Sequence, residues 1–264
     1  MLIRTAAPVL EALLRNYRGT WRASVFSQFF APLLYLASLG FGLGALVDGG
    51  ARGGVGGVGG AGGVPYATFV ASGLLAATAM QSAISESTYP VLGSVIWQRG
   101  YHAMIATPLR VVDVLAGHLA HIALQLLLGT TAFALVATAL GVVRSPWLVV
   151  AVPVAVLCGL AHAAPVMAFA VRQEDDQGFA VIFRLVLVPV FLFAGTFFPV
   201  DQLPAVVRPV AWVTPLWHGT EAVRALVLGG RGGWAVLGHV AYLALWAGVG
   251  AAVALHQYRR RLRP

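Results

Sequence analysis

The sequence has 264 residues, of which 59% are hydrophobic and 10% are charged, and its mean hydropathy is +0.84. A soluble domain of this length has no core that could hold so much apolar surface, so the composition excludes a soluble globular protein. There are 17 basic and 9 acidic residues, which gives a net charge of +8. Because these charges lie between apolar runs, we interpret them as the flanks of membrane spans and expect no nucleic-acid partner.

The absence of lysine and the presence of a single cysteine exclude several kinds of site. All basic residues are Arg, and the absence of Lys excludes a lysine Schiff base and a phosphate-binding loop that ends in Gly-Lys-Ser/Thr. The single cysteine, Cys158, lies in an apolar run, so an intrachain disulfide framework is also excluded.

The segment 5–22 is predicted to form an amphipathic helix on the membrane surface. Glu11, Arg15, Arg18 and Arg22 recur at helical spacing. The opposing positions are apolar or aromatic, namely Leu10, Leu13, Leu14, Tyr17 and Trp21. Such a helix lies in the interface, with its basic face against anionic headgroups. The alternative is a solvated cluster of charges beside the first span.

Six uncharged stretches predict an all-α, polytopic membrane protein with six transmembrane helices in a single domain, residues 1–264. The predicted spans are 23–47, 64–85, 114–143, 145–171, 179–200 and 232–258. A charge at the bilayer centre costs about 2.5 kcal/mol or more, so charged residues mark the boundaries. Arg184 interrupts the fifth stretch near its end, where a long side chain can reach the membrane surface.

Residues 49–63, between the first two spans, are glycine-rich and contain only Ala, Val and one Arg besides. No strand precedes this run and no Lys follows it, so a phosphate-binding role is rejected. We predict a flexible external linker.

Residues 86–113 are predicted to contain a short cytosolic helix that lies beneath the membrane. Aromatic, cationic and apolar side chains precede the helix-breaking Pro108, namely Trp97, Arg99, Tyr101, His102 and Met104. A protein that receives force from a cytosolic partner needs a stiff protruding element with such side chains. The alternative is a loop that is merely anchored at the membrane.

Spans three and four are predicted to be joined by a tight hairpin at residues 144–146. His118 and His121 lie one helical turn apart near the start of span three, with Asp113 close by. This spacing could suggest a metal site, but the sequence has no His-Glu-x-x-His arrangement and no evident third ligand. A structural polar contact is therefore favoured over a metal site.

Spans one and five carry several phenylalanines. The candidates for a substrate path are Phe26, Phe29, Phe30, Phe193 and Phe197. Such a set suits an amphipathic or lipid-like substrate, and ordinary packing or lipid-facing aromatics are the alternative. The acidic run at residues 174–176 is predicted to cap span five, with a contact to a cytosolic partner as the alternative.

The chain after span five, residues 201–231, is predicted to re-enter the outer leaflet. Four prolines break up this region, namely Pro199, Pro204, Pro209 and Pro215. Thr214 can cap a helix that has Pro215 at its first position and Gly229 just past its end.

That external helix carries His218, Glu221 and Arg224 at a spacing of three residues, which puts them on one face. A Glu221–Arg224 pair that shields a buried turn is favoured over direct contact with substrate.

Arginine placement predicts that both termini are cytosolic. Four arginines precede the first span and four follow the last, and arginine is retained on the cytosolic side during insertion. Termini on one side require an even number of spans, which favours six over five or seven. A cleavable signal peptide is a poor alternative, since its apolar core is only about 7–15 residues long.

Two strings resemble one protein family. Residues 97–109, WQRGYHAMIATPL, followed by Asp113 and Gly117, resemble the cytosolic region of permeases of type 2 ABC exporters. Residues 193–204, FAGTFFPVDQLP, followed by residues 214–218, TPLWH, and Arg224, are similar to the C-terminal signature of that family, especially its nodulation-factor and daunorubicin-resistance exporter branches. Each motif is short, and their order along the whole chain carries the resemblance.

The resemblance implies a bacterial cytoplasmic-membrane permease that does no chemistry of its own. It implies a dimer of permeases bound to two ATPase subunits, with ATP and Mg²⁺ in those partners and no cofactor in this chain. The coupling helix, around residues 97–104, would transmit ATPase closure to the bundle, and the substrate class would be drug, lipid or glycan. An intramembrane metal-dependent or hydrolytic enzyme and a non-transporting scaffold are the alternatives.

Overall fold

The computed structural model describes residues 2–17, 30, 33–38, 65–229 and 233–262. Throughout these ranges the ordered elements are helices, and no strand occurs within them. Helix α1, Leu2–Tyr17, packs against the long helix Val111–Ala139, named α5 below, and its Val9 is buried. Its exposed Arg15 donates to Glu11 at 2.6 Å. The predicted surface helix therefore begins three residues earlier than expected, and residues 18–22 lie outside the described ranges.

The second apolar segment is longer than predicted. Helix α2, Tyr66–Ser87, is followed after Thr88 by α3, Tyr89–Leu92, which continues as a π-helical turn, Gly93–Trp97. Helix α2 itself ends two residues beyond Ser85, the predicted end of the second span. Glu86 lies within this helix, half-buried, and its carboxylate accepts a hydrogen bond from Gln125 at 3.3 Å.

Helix α4, Gly100–Ile105, follows directly and leads to α5, Val111–Ala139. Asp113 caps α5 by accepting from the backbone N–H of Arg110 at 3.0 Å and from its Nε at 3.1 Å. The short helix predicted within residues 86–113 is thus present, between two longer helices.

Helix α5 ends at Ala139, four residues before the predicted boundary. Gly141 has φ +71°, a left-handed conformation that glycine adopts without strain, and the next two backbone N–H groups donate to the carbonyl of Ala137. The connection to α6, Leu148–Ala170, therefore spans residues 140–147.

Helix α6 is the centre of the bundle, since it packs against α2, α5 and the last two helices of the chain. Its buried face consists mostly of small residues, which lets neighbouring helices approach closely. At Gly159 a Cβ atom would lie 2.5 Å from Leu126 Cδ1 and 3.0 Å from the carbonyl oxygen of Ala79. Gly159 is therefore where α2, α5 and α6 meet.

Helix α7, Gln177–Phe193, is shorter than the predicted span 179–200. It contains a π-helical segment, Ile182–Leu187, in which Arg184 is exposed. Asp175 caps its start by accepting from the N–H of Gln177 at 3.1 Å. The helix stops at Phe193, seven residues before the predicted end of the span, because the chain turns at Gly195, which has φ +83°.

After α7, the chain has a broken region with a helix that begins at Pro215 and then one long apolar helix, as the sequence predicted. After a 3-10 turn, Val200–Gln202, come α8, Arg208–Val213, α9, Pro215–Gly229, and α10, Trp234–Arg261. Thr214 Oγ1 accepts from the N–H of Trp217 at 3.4 Å, as expected for the cap of α9. Helix α9 packs against α2, α6 and α10.

Among the described residues, four helical segments are long and apolar enough to cross a membrane: Tyr66–Trp97, α5, α6 and α10. Helix α7 has 17 residues, about 25 Å, against about 30 Å for a hydrocarbon core. Most of the first predicted span lies outside the described ranges. The chain is therefore a multi-pass membrane protein, and the count of six spans remains a prediction.

Candidate functional site

A groove of about 610 Å³ lies at the end of the bundle where the arginines concentrate, which we call the basic end. Its walls come from three parts of the chain: the turn around α4, the connection between α6 and α7, and the last turn of α10. The charged or polar lining residues are Arg99, His102, Glu174 and Arg261, and Val95 and Ile96 form the apolar floor. The groove thus joins a short helix to elements that lie far away in sequence.

The two faces of α4 differ. Arg99 and His102 are exposed, whereas Tyr101 has none of its surface accessible. The Tyr101 hydroxyl is hydrogen-bonded to His118 Nδ1 on α5, and the Tyr258 hydroxyl on α10 donates to it at 3.5 Å. Burial raises the pKa of Tyr101, so this phenol stays protonated and can donate. Helix α4 is therefore tied to two long helices through one side chain.

Backbone geometry explains how neighbouring residues face opposite ways. Arg99 has φ 51° and ψ 26°, a left-handed conformation that is uncommon outside glycine, and it follows a π-helical turn. This reversal directs the chain into α4, with the carbonyl of Arg99 accepting from the N–H of Ala103 at 3.0 Å. Irregular helical turns of this kind are frequent at functional sites.

The five residues predicted to face a cytosolic partner separate into two groups. Trp97 is 62% exposed, and Arg99 and His102 are also exposed. Tyr101 is buried, and Met104 is half-buried against the hydrophobic core. The first group can contact another protein, and the second group can only hold α4 in place.

The two histidines considered as metal ligands belong to a buried polar network. His118 contacts Tyr101, and His121 Nε2 lies 2.7 Å from Gln125 Nε2, which donates to Glu86 at 3.3 Å. No group of three metal-ligating side chains occurs in the part of the chain that the structure describes. The structural polar contact favoured by the sequence fits this arrangement.

At the opposite end of the bundle, Arg224 ties α9 to the turn after α7. It is 8% exposed, forms an ion pair with Glu221 and donates to the carbonyl of Gly195 at 2.7 Å. Its guanidinium also lies 3.8 Å from the ring centre of Phe69 on α2. Desolvation lowers the pKa of Arg224, and the Glu221 carboxylate opposes that shift. The predicted Glu–Arg pair at a buried turn is present.

His218 does not join that pair. Its Nδ1 lies 2.8 Å from Nδ1 of His239 on α10, and its ring stacks on Tyr242 at 3.8 Å between centres. Burial, with a smaller contribution from His239, lowers the pKa of His218 to about 4, so its imidazole is neutral near pH 7. His218 therefore joins α9 to α10 as an uncharged aromatic group.

The remaining predicted residues of this region have ordinary structural roles. Pro199 is half-buried and begins the 3-10 turn, Pro204 is exposed, and Pro215 is the buried first residue of α9. Each proline occupies a position where a backbone donor is not needed.

The phenylalanines of the proposed substrate path are partly described. Phe30 is 48% exposed and Phe193 is 42% exposed, while Phe197 is half-buried with its ring 5.1 Å from that of Phe191. Phe26 and Phe29 lie outside the described residues. Tyr35 lies 6.0 Å from Phe191 between ring centres, so the first predicted span is adjacent to α7.

Sequence reasoning missed the roles of two residues of the basic end, Arg261 and Tyr258. Glu174 and Arg261 line the groove, and Tyr258 anchors α4. Glu174 was predicted to cap span five as part of an acidic run, with a contact to a cytosolic partner as the alternative, and Arg261 was interpreted only as one charge that sets orientation. No local pattern indicates Tyr258, because its contact with Tyr101 crosses most of the chain.

The model of the family described as ABC-2 type transporter matches residues 9–228. The chain belongs to the ABC-2 type transporter family. That family consists of permeases, so the chain is a multi-pass transport subunit of an ABC exporter and not an enzyme in its own right. The resemblance of its two sequence motifs to this family is confirmed.

Relatives from nodulating bacteria align with this ABC-2 chain over most of its length. Nodulation protein J of Rhizobium leguminosarum bv. trifolii is 36% identical over 219 residues, which cover 81% of this chain and 79% of the relative. Nodulation protein J of Sinorhizobium fredii is 31% identical over 267 residues, 97% of each chain. Membership of the family implies an ABC ATPase as a partner in the transporter.

Proposed function

We propose that this chain is the membrane-spanning permease of an ATP-driven exporter that moves an amphipathic, lipid-linked, glycan or drug-like substrate out of the cytosol. It resides in a bacterial cytoplasmic membrane with both termini and the basic end in the cytosol. Two copies pair, and two ATPase subunits bind to them. ATP and Mg²⁺ bind in the ATPases, and this chain supplies the path that the substrate takes through the membrane.

One observation carries the proposal. Helix α4 and the residue before it present His102 and Arg99 outward, and Tyr101 fixes the helix inward to α5 and α10. A partner that pushes on the exposed face therefore acts on two long helices at once. The proposed topology places this helix on the side where ATP is available.

The groove offers a chemically mixed docking surface. Arg99 and Arg261 provide positive charge, Glu174 provides negative charge, and Val95 and Ile96 provide an apolar floor. Interfaces between proteins are typically anchored by such a combination of an apolar centre and a polar rim. Complementary charges on an ATPase would set its orientation more than its affinity.

Substrate movement is proposed to follow the aromatic surface between the first span and α7. Phe30 and Phe193 are exposed, and the Tyr35–Phe191 contact brings the two segments together. Exposed aromatic side chains suit the apolar part of an amphipathic molecule.

Gentle purification with associated proteins tests the proposal. The tagged full chain is extracted from its native membrane in mild detergent, and proteins that co-elute are identified by mass spectrometry. We expect an ATPase subunit with Walker motifs in roughly equal amount to the chain. Repeated clean preparations without such an ATPase would overturn the exporter proposal and favour a scaffold.

A further inference from the structure

A second groove, of about 470 Å³, lies between the last turns of α6 and α10 at the basic end. Apolar side chains form one part of its wall, namely Pro165, Phe169 and Val253. Polar side chains form the part beyond the end of α6, namely Arg172, Gln173 and Gln257. The groove is therefore amphipathic along its length.

The groove exists because two helices separate after a close contact. A Cβ atom on Gly250 would lie 2.7 Å from Pro165 Cδ, so α10 and α6 touch there without space for a side chain. One turn further on, Phe169 is 37% exposed and Val253 is 46% exposed. Their side chains leave the space between the helices open to the surroundings.

The positive charge at the mouth of the groove comes from Arg172, which precedes the acidic run at residues 174–176. Arg172 is exposed and forms no ion pair within the described residues. Glu174 lines the other groove, and Asp175 accepts from the N–H of Gln177. Arg260 lies three residues beyond Gln257 on α10, which adds positive charge on a neighbouring face.

We propose that this groove binds one anionic phospholipid of the inner leaflet. Its phosphate lies at Arg172 with the Gln257 amide as a further donor, and an acyl chain lies along Phe169, Val253 and Pro165. Basic pockets between transmembrane helices on the cytoplasmic side bind acidic headgroups. The lining has a cation at the membrane surface and an apolar wall within the bilayer. A phospholipid has its charged headgroup and its acyl chain in the same order.

The occupant is a lipid because of where the groove opens. It faces outward from two apolar helices, so in a membrane its surroundings are acyl chains and headgroups. An acidic peptide would not need the apolar wall, and a second copy of the chain would bring its own arginines toward Arg172. The inference depends on the proposed topology of the basic end and not on the transport reaction.

The test uses the purified full chain in detergent, with added phosphatidylglycerol or phosphatidylcholine and thermal unfolding as the measurement. A bound lipid raises the unfolding midpoint in proportion to the logarithm of its concentration over its dissociation constant. We expect phosphatidylglycerol to stabilise the chain at lower concentration than phosphatidylcholine does. Native mass spectrometry should then retain one phosphatidylglycerol per chain.

Three variants separate charge from shape. Arg172→Gln should weaken the apparent affinity for phosphatidylglycerol about fivefold, the usual effect of one arginine at an anionic surface. Val253→Trp fills the groove, keeps the charge and should weaken binding of the same lipid. Arg144→Gln removes an exposed arginine at the other end of α6 and should behave like the unaltered chain.

Equal stabilisation by the two lipids would overturn the proposal, as would unchanged affinity in both Arg172→Gln and Val253→Trp. A change of oligomeric state in Val253→Trp would show that a second copy covers the groove, which also contradicts it. Because no ATP or ATPase is present, the outcome is separate from the outcome of the co-purification experiment.

Discussion

The hydroxyl of Tyr101 is hydrogen-bonded to Nδ1 of His118, and both side chains are buried, whereas His102 on the same short helix and Arg99 just before it are exposed. Since the Tyr258 hydroxyl donates to Tyr101, Tyr101 can donate onward to His118. This order fixes the lone pair of His118 on Nδ1 and its proton on Nε2. A helix of six residues is thereby positioned by side chains from α5 and α10.

Tyr101→Phe is expected to loosen α4 without removing its ring. The substitution leaves His118 Nδ1 and the Tyr258 hydroxyl without this partner, which costs about 1–3 kcal/mol of unfolding free energy for buried groups. Thermal unfolding should show the loss, and vesicles containing the ATPase should transport less substrate per ATP. Tyr89→Phe is the control, because Tyr89 is 45% exposed. Unchanged transport per ATP in Tyr101→Phe would contradict a positioning role.

Arg99→Glu is expected to uncouple ATP hydrolysis from transport while the bundle stays folded. The side chain is exposed and forms no ion pair among the described residues, so reversal of its charge should have a small effect on the unfolding midpoint. At the groove it places a second negative charge near Glu174 and repels an acidic partner surface. Reconstituted vesicles measure both activities. Transport equal to that of the unaltered chain would refute the assignment of α4 as the coupling element.

Arg224→Lys is expected to destabilise the external end of the bundle. Lysine cannot reach the Gly195 carbonyl and Glu221 together while its cation stays over Phe69, so buried acceptors lose their partner. The expected loss is about 2–3 kcal/mol in the free energy of unfolding. Glu221→Gln preserves the side-chain shape at a position with 36% side-chain exposure, so its effect should be smaller. Denaturant titration in detergent compares them, and equal losses would argue against Arg224 as the main link.

Gly159→Ala and Gly238→Ala form a matched pair. At Gly159 the new methyl would meet Leu126 Cδ1 and the Ala79 carbonyl oxygen, so α2, α5 and α6 must move apart and the unfolding midpoint should fall. At Gly238 no atom lies within 4 Å of the new methyl. Alanine favours the helix by up to about 1 kcal/mol there, so the midpoint should stay or rise. A loss in both variants would mean that glycine is required for some reason other than packing.

Acidification is expected to weaken the contact of α9 with α10. The pKa of His218 is about 4 in the folded chain against an ordinary value of 6.5, so the unfolded chain binds more protons between these values. Stability contributed by this group is therefore complete above pH 6.5 and declines as the pH falls toward 4. Because His218 is half-buried, we expect a small decline. His218→Gln should flatten the midpoint-against-pH curve between pH 7 and 5, and an unchanged curve would contradict this account.

Local rules predicted some elements well. Helix α9 begins at Pro215, as its cap indicated, and ends at Gly229, one residue later than predicted. The apolar pattern also located α5, α6 and α10, because a membrane span must satisfy its own backbone hydrogen bonds whatever its neighbours are.

Other features depended on contacts that are distant in sequence. Glu86 was taken as a span boundary because charges are costly in a bilayer, and nothing nearby in the sequence shows that its carboxylate contacts Gln125 of α5. Likewise Tyr101 was grouped with its exposed neighbours, since nothing in residues 97–104 shows that the chain reverses at Arg99. The span that ends at Phe193 was drawn too long, because hydrophobicity carries no sign of the turn at Gly195.

The opposite orientations of Arg99 and Tyr101 also determine how this protein can change over evolutionary time. Arg99 and His102 are exposed, so substitutions there can follow changes in a partner surface without disturbing the fold. Tyr101, His118 and Tyr258 share hydrogen bonds, so a change in one of them is tolerated best when the others change with it. In an alignment of relatives, these three positions should covary with one another, and positions 99 and 102 should covary with residues of the ATPase.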